Sequence, residues 1–244
     1  MLTYLFGPHA VEDALRAKRP MDVIYVADSR RKKDIENILH LAKESGIKVQ
    51  FVPLIFFKKL SSEQNIPHQG VAAKSAEIKI QEFKDWIAAV DIGSNPVVVL
   101  VDHLEDPHNF GAIIRSAAAF GVEGLLFPKH RNATFGPAAE RAAAGGQNHV
   151  PLVRVSNVAE TVVRLQEHGF WVIGTDSVGD EELQKVELNK PVVLVFGGEH
   201  QGLHRLVRER CDQIVKVPIS NKVESLNVGV AAGIFLWEFF KKRF

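Results

Sequence analysis

Residues 97–101 read VVVLV, a continuous run of β-branched and aliphatic side chains. Such a run, without alternating polar residues, is typical of a strand that is buried on both faces of a parallel sheet. Further apolar runs predict strands at 124–127, 152–155, 171–174, 192–196 and 213–217, with helices between them, for example at 111–120, 158–168 and 203–210. Strands that alternate with helices indicate an α/β fold whose mostly parallel sheet is covered on both faces.

The first 75 residues predict a second, smaller α/β unit. Helices are expected at 11–17, 33–45 and 56–60, and strands at 23–26, 49–52 and 70–73. This segment carries 12 Lys and Arg against 8 Asp and Glu, although the whole chain has a net charge of only +1. We therefore predict two domains, at 1–75 and 96–244. They would be joined by a linker at 76–95, where the periodic pattern weakens and Gly-Ser-Asn-Pro at 93–96 interrupts it. Part of this linker, around 83–90, could be helical.

Composition excludes several classes of protein. The chain has 244 residues, of which 46% are hydrophobic, so it is a folded protein rather than a disordered one. Its one cysteine, Cys211, excludes an intrachain disulfide and a cysteine-based zinc site. The N-terminus has no signal-peptide pattern, and the longest apolar stretch, 228–240, contains Glu238 and is shorter than the roughly 20 residues of a membrane span. We expect a cytoplasmic protein without a membrane partner.

Three polar clusters follow predicted strands, at the edge where open parallel sheets bind ligands. They are DPHNFGAIIR at 106–115, FGGEHQG at 196–202 and VPISNKVESLNV at 217–228. Each has a purely structural alternative. Asn109 and Ser225 are candidate N-caps of the helices that follow them, and Arg115 could be an ordinary surface residue. Glu199 could be a helix-capping residue in a glycine turn.

Other chemistries lack their motifs. The glycines at 197–202 are spaced G-G-x-x-x-G rather than G-x-G-x-x-G, and neither a P-loop nor a G-x-S-x-G nucleophile elbow is present. The histidines that we considered as metal ligands, at 9, 68, 103, 108 and 149, show no H-x-x-x-H spacing. The sequence therefore predicts no dinucleotide site, no NTPase, no serine nucleophile and no metal.

Taken together and in this order, the segments DPHNFGAIIRSA (106–117), LVFGGEHQGL (194–203) and VPISNKVESLNVGVAAG (217–233) resemble the three motifs of the SpoU (SPOUT) family of RNA ribose 2′-O-methyltransferases. YLFGPHAVEDAL (4–15) and HQGVAA (68–73) are similar to bacterial 23S rRNA (guanosine-2′-O-)-methyltransferases. The resemblance covers nearly the whole chain. It implies a catalytic domain with a C-terminal trefoil knot, preceded by an L30-like RNA-binding domain.

The resemblance also implies a site and its partners. Carried over by motif, the catalytic residues would be Asn109, Arg115, Glu199, Ser225 and Asn227. The S-adenosylmethionine site would be lined by Thr175, Gly197, Val217, Ile219 and Leu226. The expected substrate is a guanosine in the peptidyl-transferase loop of 23S rRNA, and the expected assembly is a homodimer through the catalytic domain that completes each active site. A guanidinium pKa above about 12 favours stabilisation of an alkoxide by Arg115 over general-base catalysis.

Two other functions compete with this interpretation. A tRNA ribose 2′-O-methyltransferase of the same family would keep the chemistry and change the substrate. A non-catalytic RNA-binding factor would keep the fold without turnover, although the presence of all five motif residues argues against it. Binding of S-adenosylmethionine would distinguish the factor from the enzymes.

Overall fold

A computed structural model describes residues 2–61, 68–130, 133, 135–186, 189–199, 201–220 and 222–242. The chain divides into two compact units, Met1–Ile78 and Lys79–Phe244. No helix among the described residues is both long and apolar enough to cross a membrane. The α/β class predicted from the sequence is confirmed in both units.

Unit 1 is a four-stranded sheet in the order β1-β4-β2-β3. Its elements are β1 (Leu2–Phe6), α1 (Pro8–Arg16), β2 (Met21–Ala27), α2 (Glu36–Glu44), β3 (Lys48–Val52), α3 (Leu54–Ser61) and β4 (Val71–Ala76). Strands β2 and β3 are parallel, and β4 runs antiparallel to both β1 and β2. The core forms where one face of β2 and β4 packs against apolar residues of the helices, such as Val11 and Ile38, because their apolar positions recur at helical spacing.

Unit 2 is built on an eight-stranded sheet in the order β10-β12-β9-β11-β6-β7-β8-β5, in which all neighbours are parallel. The strands are β5 (Ile80–Glu82), β6 (Val97–Asp102), β7 (Gly124–Pro128), β8 (Leu152–Val155), β9 (Trp171–Thr175), β10 (Glu181–Glu182), β11 (Val192–Gly197) and β12 (Gln213–Lys216). The helices are α4 (Phe83–Ala89), α5 (Pro107–Ala119), α6 (Pro137–Ala143), α7 (Val158–Glu167), α8 (Arg205–Arg210) and α9 (Val228–Lys241). Every residue of β6 and β11 is buried, as their uninterrupted apolar sequences predict.

The linker predicted at 76–95 is corrected by the structure. From Lys79 onward these residues belong to unit 2, where β5 adds an edge strand to β8 and α4 contributes Phe83, Trp86 and Ile87 to the core. The indole N–H of Trp86 also donates to the carbonyl of Glu123 at 3.2 Å. Helix α4 lies where the sequence allowed a partly helical segment at 83–90. Strand β5 was not predicted, because it is only three residues long and includes two polar residues, so it carries almost no periodic signal.

The structure corrects both predicted helix caps, because residues other than Asn109 and Ser225 cap α5 and α9. Asp106 caps α5 by accepting from the backbone N–H of His108 at 2.8 Å, so Asn109 lies inside the first turn. Pro107 moves the start of this helix forward, since its fixed φ suits the first helical position. Asn227, rather than Ser225, caps α9 by accepting from the backbone N–H groups of Gly229 and Val230. The trefoil knot stays a prediction, because strand order and pairing do not define how a chain is threaded.

Candidate active site

A cavity of about 510 Å³ opens at the carboxyl ends of β9 and β11, beside the start of α9. It is lined by residues 175–177, 196–199, 201–202, 217, 219, 225–228, 231 and 235. All five residues predicted for the cofactor lie in this lining, namely Thr175, Gly197, Val217, Ile219 and Leu226. His200 and Asn221, which belong to the motifs that form the wall, lie outside the described residues.

Glycine is required in the wall that follows β11. A Cβ on Gly197 would lie 2.1 Å from the carbonyl carbon of Gly202, and one on Gly198 would lie 2.4 Å from the backbone oxygen of His103. The loop closes on itself, because the N–H of Gly202 donates to the carbonyl of Gly198 at 3.0 Å. Backbone therefore forms this side of the cavity, and no larger residue fits at either position without moving the loop.

Three of the predicted catalytic residues form one chain of hydrogen bonds. Asn227 Nδ2 donates to Asn109 Oδ1 at 2.9 Å, and Asn109 Nδ2 donates to Glu199 Oε1 at 2.7 Å. Because Asn227 also caps α9, the chain begins at a helix N-terminus and ends on a carboxylate. These residues are 90 and 118 positions apart, yet each fixes the orientation of the next.

Ser225 and Arg115 have different positions relative to this chain. Ser225 lines the cavity together with Asn227 and is exposed. Arg115 does not line it. The residue is exposed on α5, six positions after Asn109, and makes no hydrogen bond or ion pair with the rest of the described chain. Six residues advance an α-helix by about 9 Å and rotate it by about 240°, so Arg115 and Asn109 occupy different faces.

Contacts around the cavity hold the loop after β9 and the first turns of α5 and α9. Arg208 on α8 forms an ion pair with Asp176 and donates to the carbonyl of Val178 at 3.0 Å, which fixes the loop after β9. Helices α5 and α9 approach closely, because Gly229 lies against Ala112 where a Cβ would come within 3.2 Å of that side chain. This contact positions the first turns of both helices, which carry Asn109 and Asn227.

Sequence reasoning missed one polar cluster beside the cavity. Asp102 at the end of β6 is fully buried and is hydrogen-bonded to His103 and His204. His103 is the next residue in the sequence, whereas His204 lies 102 positions away. His204 follows the glycine loop and was not weighed as a ligand. The strand pairing that places Gly197 beside Asp102 creates the cluster, and a spacing search along the chain cannot detect that pairing.

Comparisons with known proteins identify the family of this chain. The model of the SpoU rRNA Methylase family matches residues 96–237, and the model of RNA 2′-O ribose methyltransferase substrate binding matches residues 4–81. A Bacillus subtilis protein named for the TrmH family of tRNA/rRNA methyltransferases, YacO, is 38% identical over 241 residues, which are 98% of this chain and 96% of that one. A Staphylococcus haemolyticus protein of the same description is 38% identical over 240 residues, 98% of this chain and 95% of its own length.

Solved structures give the same result. The SpoU methyltransferase AviRb from Streptomyces viridochromogenes, in complex with AdoMet, is 25% identical with a TM-score of 0.76 and aligns with 99% of this chain and 90% of its own. An rRNA methyltransferase from Sinorhizobium meliloti, 21% identical with a TM-score of 0.78, shares the fold over 100% of this chain and 88% of its own. The family matches cover both units and include every residue of the proposed site. The chain therefore belongs to the SpoU family of RNA methyltransferases.

Proposed function

We propose that this chain transfers a methyl group from S-adenosylmethionine to a ribose 2′-hydroxyl of RNA. The proposed substrate is a guanosine in the peptidyl-transferase loop of 23S rRNA, and a cytoplasmic location follows from it. The observation that carries the proposal is the meeting of Asn109, Glu199 and Asn227 beside a cavity that all five predicted cofactor residues line. AviRb, whose structure contains AdoMet, supports the choice of methyl donor.

The cavity suits S-adenosylmethionine in size and chemistry. Its volume falls within the roughly 300–1,000 Å³ typical of small-molecule sites, and the Gly197 backbone leaves space where a side chain would clash. Val217, Ile219 and Leu226 offer apolar surface beside backbone donors and acceptors. When bound, S-adenosylmethionine supplies an electrophilic methyl group on a sulfonium.

The chain of hydrogen bonds from Asn227 through Asn109 to Glu199 orients the groups that would face the methyl acceptor, the ribose hydroxyl. Asn109 holds one oxygen of the exposed Glu199 carboxylate, so this carboxylate is preoriented to accept a hydrogen bond from a ribose hydroxyl. Ser225 and Asn227 lie on the same wall and position the ribose. We assign Arg115 to the developing negative charge on the 2′-oxygen or to a neighbouring phosphate, because a guanidinium stays protonated and cannot act as a base at ordinary pH.

Arg115 can take this role if a second copy of the chain completes the site. The guanidinium contacts none of the residues that line the cavity of its own chain among those described. Helix α9, which packs on α5, exposes Val230, Ile234 and Trp237 on one face, at spacings of four and three residues. A contiguous apolar stripe of this kind marks an interface, and a two-fold axis through it would bring Arg115 of each protomer toward the other's cavity. We therefore propose a homodimer through unit 2.

Unit 1 supplies the proposed RNA contact. It matches the substrate-binding family model, and the basic residues at 31–33 and 58–59 are exposed. Exposed aromatic side chains, including Phe51, lie in the same unit and provide surfaces on which unpaired bases can stack. The relatives are named for both tRNA and rRNA, so a tRNA substrate is the alternative that the experiment must distinguish.

The test is tritiated methyl transfer from S-adenosylmethionine to unmodified 23S rRNA and, in parallel, to unmodified tRNA, with the product mapped by nuclease digestion. We expect 2′-O-methylguanosine in the peptidyl-transferase loop of the rRNA. Label in tRNA alone would contradict the substrate and keep the reaction. An absence of label in both RNAs, with S-adenosylmethionine still bound, would point to an assembly intermediate as the substrate or to a chain that has lost turnover. An absence of both label and S-adenosylmethionine binding would support the RNA-binding factor instead.

A further inference from the structure

A buried carboxylate and two imidazoles converge at the carboxyl end of β6. The side chain of Asp102 is fully buried, and its Oδ1 lies 2.5 Å from Nδ1 of His103. Its Oδ2 accepts the backbone N–H of His204 at 2.8 Å and lies 3.1 Å from Nδ1 of that residue. The two imidazole rings are 3.8 Å apart between centroids. The donor atoms of three side chains of the kinds that ligate metals therefore lie close together.

The backbone around this cluster is held in an unusual conformation. His103 has a φ of +59°, in the left-handed region that residues other than glycine adopt uncommonly. Its backbone oxygen lies where a Cβ of Gly198 would be, so the glycine loop and the end of β6 fix each other. Local strain maintained in this way is found most often at binding and catalytic sites.

The surroundings favour a cation over an anion. The two rings line a cavity of about 400 Å³ together with Glu105, Gly198, Glu199, Gln201 and Gly202. These residues contribute two carboxylates in addition to Asp102, and no Lys or Arg belongs to the described lining. A phosphate placed here would meet three carboxylates, whereas a divalent ion would be attracted by them.

We propose that Asp102, His103 and His204 form a binding site for a divalent transition-metal ion of the zinc class. Two imidazole nitrogens and one carboxylate oxygen are ligands that Zn²⁺, Co²⁺ and Ni²⁺ accept. The three donor atoms lie within 4.8 Å of one another, and both rings are partly exposed, which leaves them room to turn toward a shared ion. Three protein ligands leave an open coordination position on the side of the cavity.

The site adjoins the proposed active site without being part of its hydrogen-bond chain. The two cavities share Gly198, Glu199, Gln201 and Gly202 in their linings. A bound ion would therefore place positive charge near Glu199. The metal site itself does not rest on the methyl-transfer proposal, because it can be measured without RNA or S-adenosylmethionine.

The experiment titrates Co²⁺ into the full-length protein after treatment with EDTA, and records calorimetry together with the visible absorption of the protein-bound ion. We expect one ion per chain, an absorption typical of four- or five-coordinate Co²⁺, and displacement by Zn²⁺. His103→Gly and His204→Ala should each weaken binding by more than about 100-fold, since even changes to groups that only support a ligand cost about 10- to 100-fold.

Control measurements distinguish a loss of metal ligands from a loss of folding. His103→Gly relieves the left-handed backbone and His204→Ala retains the backbone bond to Asp102, so both variants should stay folded at the temperature of the titration, which thermal melts check. His108→Ala changes an exposed histidine outside the cluster and should bind Co²⁺ like the wild type. No saturable binding at 100 micromolar Co²⁺, or equal binding by all three variants, would overturn the proposal and leave a hydrogen-bonded Asp–His cluster.

Discussion

The first turn and the middle of helix α5 differ in how completely this chain surrounds their functional residues. Asn109 in the first turn is hydrogen-bonded to both Asn227 and Glu199. Arg115 in the middle is exposed and finds no hydrogen-bond or ion-pair partner among the described residues. The two residues belong to the same short motif, so the difference arises from the helix, which turns them to different faces. In the site that we propose, this exposed arginine is where the second protomer or the RNA supplies the missing partner.

The largest effect is expected from Arg115→Ala. Methyl transfer should fall by about 100- to 1,000-fold, the usual loss when one preorganised donor to a developing negative charge is removed. Affinity for S-adenosylmethionine should stay within about twofold, because we assign Arg115 to the 2′-oxygen or a phosphate of the RNA rather than to the cofactor. Single-turnover rates and calorimetry measure the two quantities. Arg205→Ala, which removes another exposed arginine of unit 2, is the matched control, and equal loss in both variants would remove Arg115 from the mechanism.

Mixing two inactive variants tests whether Arg115 acts in its own chain's site or in that of a partner. Arg115→Ala and Glu199→Gln are refolded together so that protomers exchange. Random pairing places half of the chains in mixed dimers. If Arg115 acts in the partner's site, each mixed dimer has one site with both Glu199 and Arg115 intact and one site with both changed. Activity should therefore recover to about one quarter of wild type. If Arg115 acts within its own chain, every site stays defective and activity does not recover. Adding Trp237→Asp to both chains disrupts the proposed interface and should abolish the recovery.

The next effect concerns the cavity wall after β11, which we assign to S-adenosylmethionine. Gly197→Ala should weaken S-adenosylmethionine binding by about 10- to 100-fold, because the new Cβ forces the loop away from Gly202 at a cost of about 1–3 kcal/mol. Gly233→Ala on α9 is the control, since its Cβ would meet only Ser116 Oγ at 3.7 Å. Calorimetry with S-adenosylmethionine and a thermal melt compare the two. Unchanged affinity in Gly197→Ala would place the cofactor elsewhere.

The same contrast separates what the sequence could predict from what it could not. The strands at 97–101 and 192–196 were predictable, because a strand buried on both faces needs an uninterrupted apolar run. The cofactor residues were predicted through motif resemblance, and the cavity brings them together. The short edge strands β5 and β10 were not predictable, because three and two residues carry no period. The Asp102 cluster depends on the register between β6 and β11, which no local pattern records.

A smaller effect tests unit 1. Lys32→Glu with Lys33→Glu should weaken rRNA binding by about 10-fold and reduce its salt dependence, since fewer counterions are released from the phosphates. S-adenosylmethionine affinity should not change. Lys79→Glu with Lys84→Glu makes the same change of net charge within unit 2, where both lysines are exposed. Filter binding at several salt concentrations compares the pairs, and equal weakening by both would show a response to net charge rather than to unit 1.

The smallest expected effect concerns Cys211, the one cysteine of the chain, which lies beside β9 rather than in the cavity. Burial, followed by the nearby carboxylates of Asp212 and Asp102, raises the pKa of this thiol to about 12. Since the thiolate is the reactive form, alkylation by iodoacetamide at pH 8 should be at least about 100-fold slower in the folded protein than in urea. Intact-mass spectrometry follows the reaction. The raised pKa also implies a loss of stability as pH rises from about 9 to 12, because the unfolded thiol ionises first. Rapid alkylation of the folded protein would show that the turn after α8 opens, and that this part of unit 2 is less firmly packed than the cavity wall.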